Sequence, residues 1–399
     1  MSATYDHNVI GSGPAGLTAA MTLARSGAKV RVYERAETVG HRFNGDFQGL
    51  ENWSTSTDAL TRLADLGVEA TFAHQPFHEI TFYDTKLRPS LARSTEPLFY
   101  AVRRGPENDT LDRALAEQAR SLGVDVLLGT PAEKARRGDI VAIGPRHADG
   151  IVAGYVFETN LEDQAHCVVS ESFAPAGYAY LLIWDGRGTL ATVMFRNHED
   201  WLQARSRTVE TFTSLVPGLD LDDARTFSGF GSVFDKPRYT DEAGRLFVGE
   251  AAGLQDPEWG FGMWHAMKSG FLAARSLIEG FDYQAAGHDM FESRREAAFF
   301  NRMLYERLPA PVISSWLRHG AQSRNPRERL RRHWVPNALK SKIARAAMPS
   351  FTRARLDHHD RACHSDTCDC VWCTHGQMSE DHDDRSHSFG AEVACGQHQ

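Results

Sequence analysis

A glycine-rich turn near the N-terminus constrains the fold of this chain more than any other feature. Gly11, Gly13 and Gly16 form a G-x-G-x-x-G pattern directly after the apolar pair Val9 and Ile10. The apolar residues that follow recur at the spacing of an amphipathic helix, at Leu17, Ala20, Met21 and Ala24. The first glycine of such a turn permits a tight bend, the second lets backbone approach a pyrophosphate, and the third lets the helix pack closely on the strand. We therefore predict a strand, turn and helix that bind a dinucleotide, with Ser12 and Ala15 also in contact with it.

An acidic residue stands at the end of the next predicted strand. Val30 and Val32 alternate with polar residues, and the strand ends at Glu34, 23 residues after Gly11. An acid at this place accepts hydrogen bonds from the ribose hydroxyls of an adenosine. Glu34, with its neighbour Arg35, is therefore predicted to bind the adenosine half of the dinucleotide.

Length and composition are those of a globular protein with more than one domain. The chain has 399 residues, of which 42% are hydrophobic and 24% are charged. No run approaches the about 18 consecutive apolar residues of a membrane-spanning helix. Asp6 lies where a signal peptide would be basic. We expect a cytoplasmic protein, with peripheral contact to a membrane as a further option.

The net charge of −8 hides a basic segment near the C-terminal end. Residues 300–356 contain thirteen Lys and Arg against two Glu, a local balance of +11. Such a segment suits a membrane surface or an acidic redox protein partner, and it also suits a solvated helical face. We expect no nucleic-acid partner.

Two strands in mid-chain predict an antiparallel sheet. The segments 178–184 and 189–195 are rich in aromatic and β-branched residues, and Asp185-Gly186-Arg187-Gly188 separates them as a hairpin turn would. Because βα units flank this hairpin in the sequence, we predict that an antiparallel domain is inserted into a doubly wound α/β domain.

Three further motifs extend the pattern, in chain order. They are Val102-Arg103-Arg104-Gly105, Pro175-Ala176-Gly177-Tyr178-Ala179-Tyr180, and Gly249-Glu250-Ala251-Ala252-Gly253 followed by Asp256-Pro257-Glu258-Trp259-Gly260-Phe261-Gly262. With the glycine turn, they make the chain resemble the flavoprotein superfamily that holds geranylgeranyl reductases, aromatic hydroxylases and flavin-dependent halogenases. The resemblance covers roughly residues 5–280.

The resemblance implies FAD as the cofactor. It places Glu250 at the ribityl chain, and Asp256 with the backbone of Gly260, Gly262 and Met263 beside the isoalloxazine ring. A helix beginning at Gly262 would point its positive end at the flavin and favour the reduced anion. Arg42 and Arg103 complete the predicted cofactor-binding set. Asp256 is also compatible with a plain turn before a helix.

The predicted fold is an α/β doubly wound, Rossmann-like FAD-binding domain with an inserted antiparallel β-sheet substrate domain and a helical C-terminal segment. The boundaries we expect are 1–72, 100–154 and 236–283 for the FAD-binding domain, 73–99 and 155–235 for the substrate domain, 284–356 for a basic helical segment, and 357–399 for a Cys/His-rich tail.

The motifs favour a reductase over a monooxygenase or halogenase. The geranylgeranyl reductase motif Pro-x-x-Tyr-x-Trp-x-Phe-Pro is kept in part, at Pro175 and Tyr178 but with Tyr180 and Leu182 in place of its Trp and Phe. The cysteine that these reductases often carry has no counterpart in residues 40–49. A hydroxylase-type Ala-Asp-Gly occurs at residues 148–150, whereas a halogenase-type Trp-x-Trp-x-Ile-Pro does not occur.

We therefore predict that hydride passes from reduced FAD to a carbon–carbon double bond, or a similar acceptor, of an apolar, isoprenoid-like small molecule. NAD(P)H or a reduced protein would supply the electrons. His41, Arg42 and Tyr178 are the candidates for proton donation or flavin orientation, although Tyr178 also fits an ordinary strand aromatic. The alternatives are a flavin monooxygenase, an electron-transfer flavoprotein with a metal cluster, and a flavin-binding protein without turnover.

Four cysteines near the C-terminus suggest a metal site. Cys363, Cys368, Cys370 and Cys373 lie within eleven residues, with several histidines around them. Four thiolates can bind Zn²⁺ tetrahedrally or hold an iron–sulfur cluster. The cysteine spacing matches neither common ferredoxin pattern. A third interpretation is therefore that the four thiols bind no metal and are redox-active.

Overall fold

A computed structural model describes residues 4–145 and 148–356 of the chain. Within these residues the strands are, in chain order, β1 (His7–Ile10), β2 (Val30–Tyr33), β3 (Phe47–Glu51), β4 (His74–Phe77), β5 (Glu79–Tyr83), β6 (Pro89–Arg93), β7 (Phe99–Arg103), β8 (Asp125–Leu127), β9 (Ile140–Val141), β10 (Gly150–Glu158), β11 (Gln164–Val168), β12 (Tyr178–Trp184), β13 (Arg187–Met194), β14 (Arg225–Gly231) and β15 (Leu246–Phe247). The α-helices are α1 (Pro14–Arg25), α2 (Ala59–Asp65), α3 (Leu111–Ser121), α4 (Trp201–Leu215), α5 (Met263–Glu279), α6 (Tyr283–Arg307), α7 (Ala310–Ala321), α8 (Pro326–Trp334) and α9 (Ala338–Leu356).

A parallel sheet forms the first layer of the molecule. Its strand order is β15-β9-β1-β2-β8, and each neighbouring pair runs parallel. Helix α1 connects β1 to β2 and packs against α3 and α5. The largest hydrophobic core lies between this sheet and these helices, with Leu17, Met21 and Val32 fully buried. This is the doubly wound α/β arrangement that the sequence predicted.

A seven-stranded sheet, antiparallel except for one pair, forms the second layer, in the order β14-β10-β13-β12-β11-β5-β6. Its β5 and β11 pair in parallel, which joins two distant parts of the chain. The predicted hairpin is present between β12 and β13. Asp185 and Gly186 at its turn have φ values of 51° and 71°, the left-handed conformation that two-residue hairpin turns need.

A third, three-stranded sheet has the order β3-β7-β4 and links the two layers. The expected domain boundary at residue 154 falls inside β10, which pairs within the seven-stranded sheet along its whole length. The division into domains stays a prediction.

The C-terminal helices pack beside both large sheets. Helix α9 lies along α6, where Phe299 meets Phe351 edge-on with ring centroids 5.0 Å apart. Helix α8 contacts both α6 and α7. Within the described part of the chain, no helix is both long and apolar enough to cross a membrane.

Candidate active site

One large cavity of about 910 Å³ lies between the parallel sheet and the seven-stranded sheet. Ligand and cofactor sites usually have volumes of about 300–1,000 Å³, and this cavity is within that range. One part, the dinucleotide part, is lined by Gly11, Gly13, Glu34, Arg42 and Glu250. The other, the apolar part, is lined among others by Trp53, Phe82, Phe99, Tyr178, Leu182, Trp316 and Trp334. A single cavity therefore joins a polar end to an apolar end.

The glycine turn opens directly onto the dinucleotide part. Gly11 has φ of +106°, and a Cβ atom there would lie 2.4 Å from the carbonyl oxygen of Ala142 in the neighbouring strand connection. A Cβ atom on Gly13, by contrast, would meet nothing within 4 Å. The backbone at Gly13 is therefore open to a ligand, and α1 begins at the next residue, Pro14, with its free amides at the cavity.

The carboxylate of Glu34 is held in a fixed position beside this turn. One oxygen accepts hydrogen bonds from the backbone N–H and the hydroxyl of Ser12, at 2.9 and 2.7 Å. The other accepts from the N–H of Ala36 at 3.0 Å. Because a carboxylate offers about four acceptor sites, Glu34 retains capacity for a hydroxyl group of a ligand. Its neighbour Arg35 is exposed and also lines the cavity.

Arg42 and Glu250 lie together in the cavity wall although 208 residues separate them. A guanidinium nitrogen of Arg42 is 3.4 Å from the Glu250 carboxylate, and another donates to the carbonyl oxygen of Phe230 at 2.8 Å. Burial raises the pKa of Glu250 above its usual value, and the charge of Arg42 opposes that rise. His41 is exposed and lines the same wall.

The segment before α5 forms the wall between the two parts of the cavity. Gly260 and Gly262 line it, and α5 begins at Met263, next to the residue where the sequence placed the helix start. Asp256 lies behind this wall, where its carboxylate accepts from the N–H groups of Glu258 and Trp259 at 3.3 and 2.8 Å. Burial, with the nearby charge of Glu258, raises the pKa of Asp256 to about 7.

A buried network fastens this segment to the C-terminal helices, and nothing in the sequence indicated it. The Glu258 carboxylate lies 2.6 Å from Nε2 of His333 and accepts from the amide of Asn301 at 3.0 Å. The guanidinium of Arg302, which is fully buried, donates to the carbonyl oxygen of Glu258 at 2.9 Å. Between 43 and 75 residues separate these partners, so no local pattern could have found them.

Aromatic rings enclose the apolar part of the cavity. Trp53 meets Phe261 edge-on at 5.0 Å between ring centroids and lies 5.7 Å from Trp334. Trp316 of α7 and Leu330 of α8 extend this wall toward the C-terminal helices. The basic helical segment therefore contributes to the cavity as well as to the surface.

Burial favours the uncharged forms of four ionisable side chains on the strand side of the apolar part. Burial lowers the pKa of His166 to about 4 and raises the pKa of Cys167 to about 12. Burial also raises the pKa values of Tyr178 and Tyr180 far above the usual value for tyrosine. The Tyr178 hydroxyl donates to the carbonyl oxygen of Trp259 at 2.9 Å. This wall therefore favours an uncharged ligand.

Most of the predicted site residues line one cavity, but Ser12, Gly16, Arg103 and Asp256 do not. Arg103 pairs with Asp109 at 2.9 Å, whereas its neighbour Arg104 lines the cavity and forms a buried bidentate pair with Asp112. Successive side chains alternate between the two faces of a strand, so the end of β7 directs neighbouring arginines to opposite sides. The sequence did not indicate which arginine faces the cavity.

The predicted metal ligands Cys363, Cys368, Cys370 and Cys373 lie outside the described residues. Among the residues that are described, no group of three or more His, Cys, Asp or Glu side chains could hold a metal ion.

The residues of the dinucleotide part fit FAD. The space beside Gly13 is open where a pyrophosphate would approach, and Glu34 is oriented toward the place of an adenosine ribose. In the same wall, the buried side-chain oxygen of Gln255 has no hydrogen-bond partner, and a polar group of a bound cofactor could supply one.

Comparison with known proteins agrees with this geometry. A profile of NAD(P)-binding Rossmann-like domains matches residues 9–51. The chain is 24% identical over 357 residues to a protein named digeranylgeranylglycerophospholipid reductase from Thermoplasma acidophilum, with 79% of this chain and 86% of the relative aligned. A relative of the same name from Thermoplasma volcanium is 25% identical over 326 residues, which is 70% of this chain and 80% of that protein.

Solved structures share the fold. A geranylgeranyl bacteriochlorophyll reductase-like protein from Thermoplasma acidophilum matches with a TM-score of 0.64 and 19% identity, over 88% of this chain and 98% of that chain. A flavin-dependent brominase matches with a TM-score of 0.60 and 17% identity, over 88% and 99% of the two chains. These solved structures confirm the predicted fold, and the names of the two sequence relatives agree with the resemblance described above.

Proposed function

We propose that this flavoprotein oxidoreductase is an FAD-dependent reductase that saturates a carbon–carbon double bond in an apolar, isoprenoid-like substrate. One observation carries the proposal: the cavity that begins at the glycine turn continues into an aromatic part, where burial favours the uncharged forms of His166 and Cys167. The names of the two sequence relatives, both digeranylgeranylglycerophospholipid reductases, support the same substrate class.

The chain's own residues would hold the cofactor in an extended position. The turn at Gly11–Gly16 and the first amides of α1 would bind the pyrophosphate, and Glu34 would bind the adenosine ribose. Glu250, oriented by Arg42, would contact the ribityl chain. When bound and reduced, FAD supplies the hydride.

The aromatic wall would hold the substrate and exclude water from the reacting carbon atoms. Trp53, Phe99 and Leu182 present apolar surface, so an isoprenoid chain gains free energy by leaving water, at about 25 cal/mol per Å² of buried area. A charged substrate would lose its hydration in this part of the cavity without finding a counter-charge on the strand side.

Saturation of a double bond also needs a proton at the second carbon atom. We assign its delivery to the Tyr178 hydroxyl, which lines the cavity and would turn from the Trp259 carbonyl oxygen toward the substrate, with a proton from water restoring the hydroxyl after each turnover. His41 and Arg42 line the dinucleotide part, where they would orient the cofactor.

The test is an anaerobic turnover experiment with the full chain. The holoprotein is reduced with dithionite, mixed with geranylgeranylated lipid, and followed by flavin absorbance and by mass spectrometry of the lipid. We expect reoxidation of the flavin together with the gain of a pair of hydrogen atoms per reduced bond. Reoxidation only by oxygen, with an oxygenated product, would support the monooxygenase alternative instead.

A matched pair of tyrosine variants tests the proton donor. Tyr178→Phe removes the hydroxyl and should lower the rate of product formation by about 10²-fold or more, the contribution typical of general acids. Tyr180→Phe removes the neighbouring hydroxyl, which makes only a 3.4 Å contact with the Phe47 carbonyl oxygen, and should change the rate far less. Equal rates in wild type and Tyr178→Phe would rule out this assignment.

The proposed reaction also needs an electron donor for the flavin, and the predicted metal site could take part in electron transfer. NADPH, NADH and a reduced ferredoxin would be compared as reductants of the bound flavin.

Elemental analysis would decide between zinc, iron and no metal in the C-terminal tail. It would compare the full chain with a variant that has Ser at Cys363, Cys368, Cys370 and Cys373. Iron that disappears with the four cysteines would favour the electron-transfer alternative.

A further inference from the structure

The C-terminal helices carry an unusual share of the exposed apolar side chains. Eleven large hydrophobic residues are exposed in the described part of the chain, and six of them fall between residues 304 and 343. We call these six the C-terminal apolar surface: Leu304, Leu308, Val312, Val335, Leu339 and Ile343. Single exposed hydrophobic residues are ordinary, whereas a concentration of them marks an interaction site.

Contacts between two helices bring the surface to one end of the segment. Glu296 of α6 pairs with Arg345 of α9, and Phe300, one turn further along α6, lies beneath Lys340. Moving forward along α6 therefore means moving backward along α9, so the two helices are antiparallel. The end of α6 consequently lies at the same end of the segment as the start of α9.

The corner between α6 and α7 is exposed at this end. All six residues of the run Arg307-Leu308-Pro309-Ala310-Pro311-Val312 are exposed. Two of them are prolines, which have no backbone N–H group. Such a corner can enter an apolar medium while leaving fewer backbone donors without a partner.

Leu339 and Ile343 extend the apolar surface along α9. They are four residues apart and therefore lie on the same face of the helix. Leu339 is 66% exposed, the highest value among the large hydrophobic residues of the described chain.

The segment that carries this apolar surface is positively charged. Exposed cations that form no ion pair within the described residues occur on or between the same helices, at Arg307, Arg318, Arg324, Arg329 and Lys342. The segment as a whole has a balance of +11. An apolar surface on a segment rich in exposed cations complements a membrane that contains anionic lipids.

We propose that the C-terminal apolar surface is the site at which this protein docks onto an anionic lipid membrane. A second copy of the chain would bring a surface of the same positive sign. Residues 357–399 contain nine Asp and Glu against two Arg, but Val371 and Val393 are their only Val, Leu or Ile residues. With Trp372, Met378 and Phe389 they hold five large apolar side chains in 43 residues, whereas an anionic bilayer offers charge together with a continuous apolar interior.

Docking in this orientation would bring the substrate part of the cavity close to lipid. Trp316 and Leu317 line the cavity from α7, which also carries Val312 of the surface, and Leu330 lines it from α8, which ends directly before Val335. The inference goes beyond the proposed reaction. Membrane docking is tested by vesicle binding and the reductase activity by turnover. One proposal can therefore fail while the other holds.

The experiment is flotation of the full-length holoprotein with two kinds of vesicle. One contains phosphatidylglycerol and phosphatidylcholine in equal parts, and the other contains phosphatidylcholine only. We expect binding to the anionic vesicles, weak binding to the neutral ones, and loss of binding in high salt because the Debye length falls to about 3 Å at 1 M. Equal binding to both vesicles, or none to either, would overturn the proposal.

Substitutions then locate the surface. Leu308→Gln with Leu339→Gln should weaken binding by on the order of tenfold or more. Arg324→Gln with Lys342→Gln should weaken it roughly fivefold per charge removed. Leu202→Gln is the matched control, since Leu202 is 55% exposed but lies on α4, and it should leave binding unchanged. Thermal unfolding checks that each variant is folded.

Two results would assign the surface to another occupant and contradict the proposal. One is a dimer that the leucine variants dissociate while vesicle binding persists. The other is a carbodiimide cross-link from Lys342 to residues 357–399 in a protein that does not bind vesicles.

Discussion

Among single residues, Glu34 shows how tertiary contacts prepare a side chain for binding. Ser12 and Ala36 donate three hydrogen bonds to its carboxylate, which is 8% exposed. The side chain is therefore already fixed before a ligand binds, so binding loses little side-chain entropy. Glu34 lines the cavity and can still accept a hydrogen bond from a ligand.

Glu34→Gln should weaken FAD binding while keeping the shape of the side chain. A hydrogen bond to a charged acceptor is worth about 1–2 kcal/mol more than one to a neutral acceptor, so we expect roughly 5–30-fold weaker binding. Fluorescence titration of apoprotein with FAD measures it. Glu37→Gln, an exposed acid in the same loop, is the control. Identical affinities in the two variants would show that Glu34 does not bind the cofactor.

Asp256 should make the protein less stable as pH rises from about 4 to about 7. Its pKa is raised from 3.8 to about 7 by burial and by Glu258, so the folded state binds the proton more tightly than the unfolded state. The cost of ionising Asp256 is absent below the unfolded pKa and complete above the folded one.

Asp256→Asn removes this titration and keeps an oxygen that can accept from Trp259. Relative to wild type, the variant should gain roughly 1–4 kcal/mol of stability between about pH 5 and about pH 8. Urea unfolding at the two pH values measures the difference. If the gap between wild type and variant did not change with pH, the carboxyl group would have an ordinary pKa.

At the scale of elements, the contact between α1 and α5 decides where the glycine turn stands. A Cβ atom on Gly270 would lie 2.0 Å from the backbone oxygen of Ala15, so only glycine allows the two helices to approach this closely. Helix α5 therefore supports the first turn of α1, which in turn holds Gly13 at the cavity.

Gly270→Ala should separate α1 from α5 and destabilise the protein by about 1–3 kcal/mol, as overpacking does. It should also weaken FAD binding, because the glycine turn moves with α1. Gly320→Ala in α7 provides the control: a Cβ atom there meets nothing within 4 Å, and stability should stay equal or rise by up to about 1 kcal/mol. Denaturant unfolding of both variants decides the matter, and equal losses would contradict the packing argument.

At the scale of the whole molecule, the cavity lies where the two large sheets meet. A cofactor bound there contacts the parallel sheet, the seven-stranded sheet and α5 together. Cofactor binding should therefore stabilise the protein as a whole, since it favours the folded state alone.

FAD at about 100 times its dissociation constant should add about 2.7 kcal/mol to the free energy of unfolding. Gly13→Val should remove this gain but leave apoprotein stability nearly unchanged, because Gly13 has an ordinary φ of −74° and open space for a Cβ atom. Thermal unfolding with and without FAD measures both. Equal protection of both proteins by FAD would place the cofactor elsewhere.

The sequence by itself determined the features that depend on near neighbours. The glycine turn, the helix after it and the β12–β13 hairpin are set by residues a few positions apart, and the structure contains them at the predicted places. The α/β fold class followed from their order and is confirmed.

Only the tertiary structure decided which distant groups meet. The Glu258–His333 pair, the choice of Arg104 over Arg103 at the cavity, and the shared end of α6 and α9 each depend on how separate elements pack. Strand β3 forms by pairing with β7, which lies about fifty residues further along the chain, and its own residues do not indicate that partner. Strand pairing and buried ion pairs are long-range interactions, and their partners have no fixed spacing along the chain.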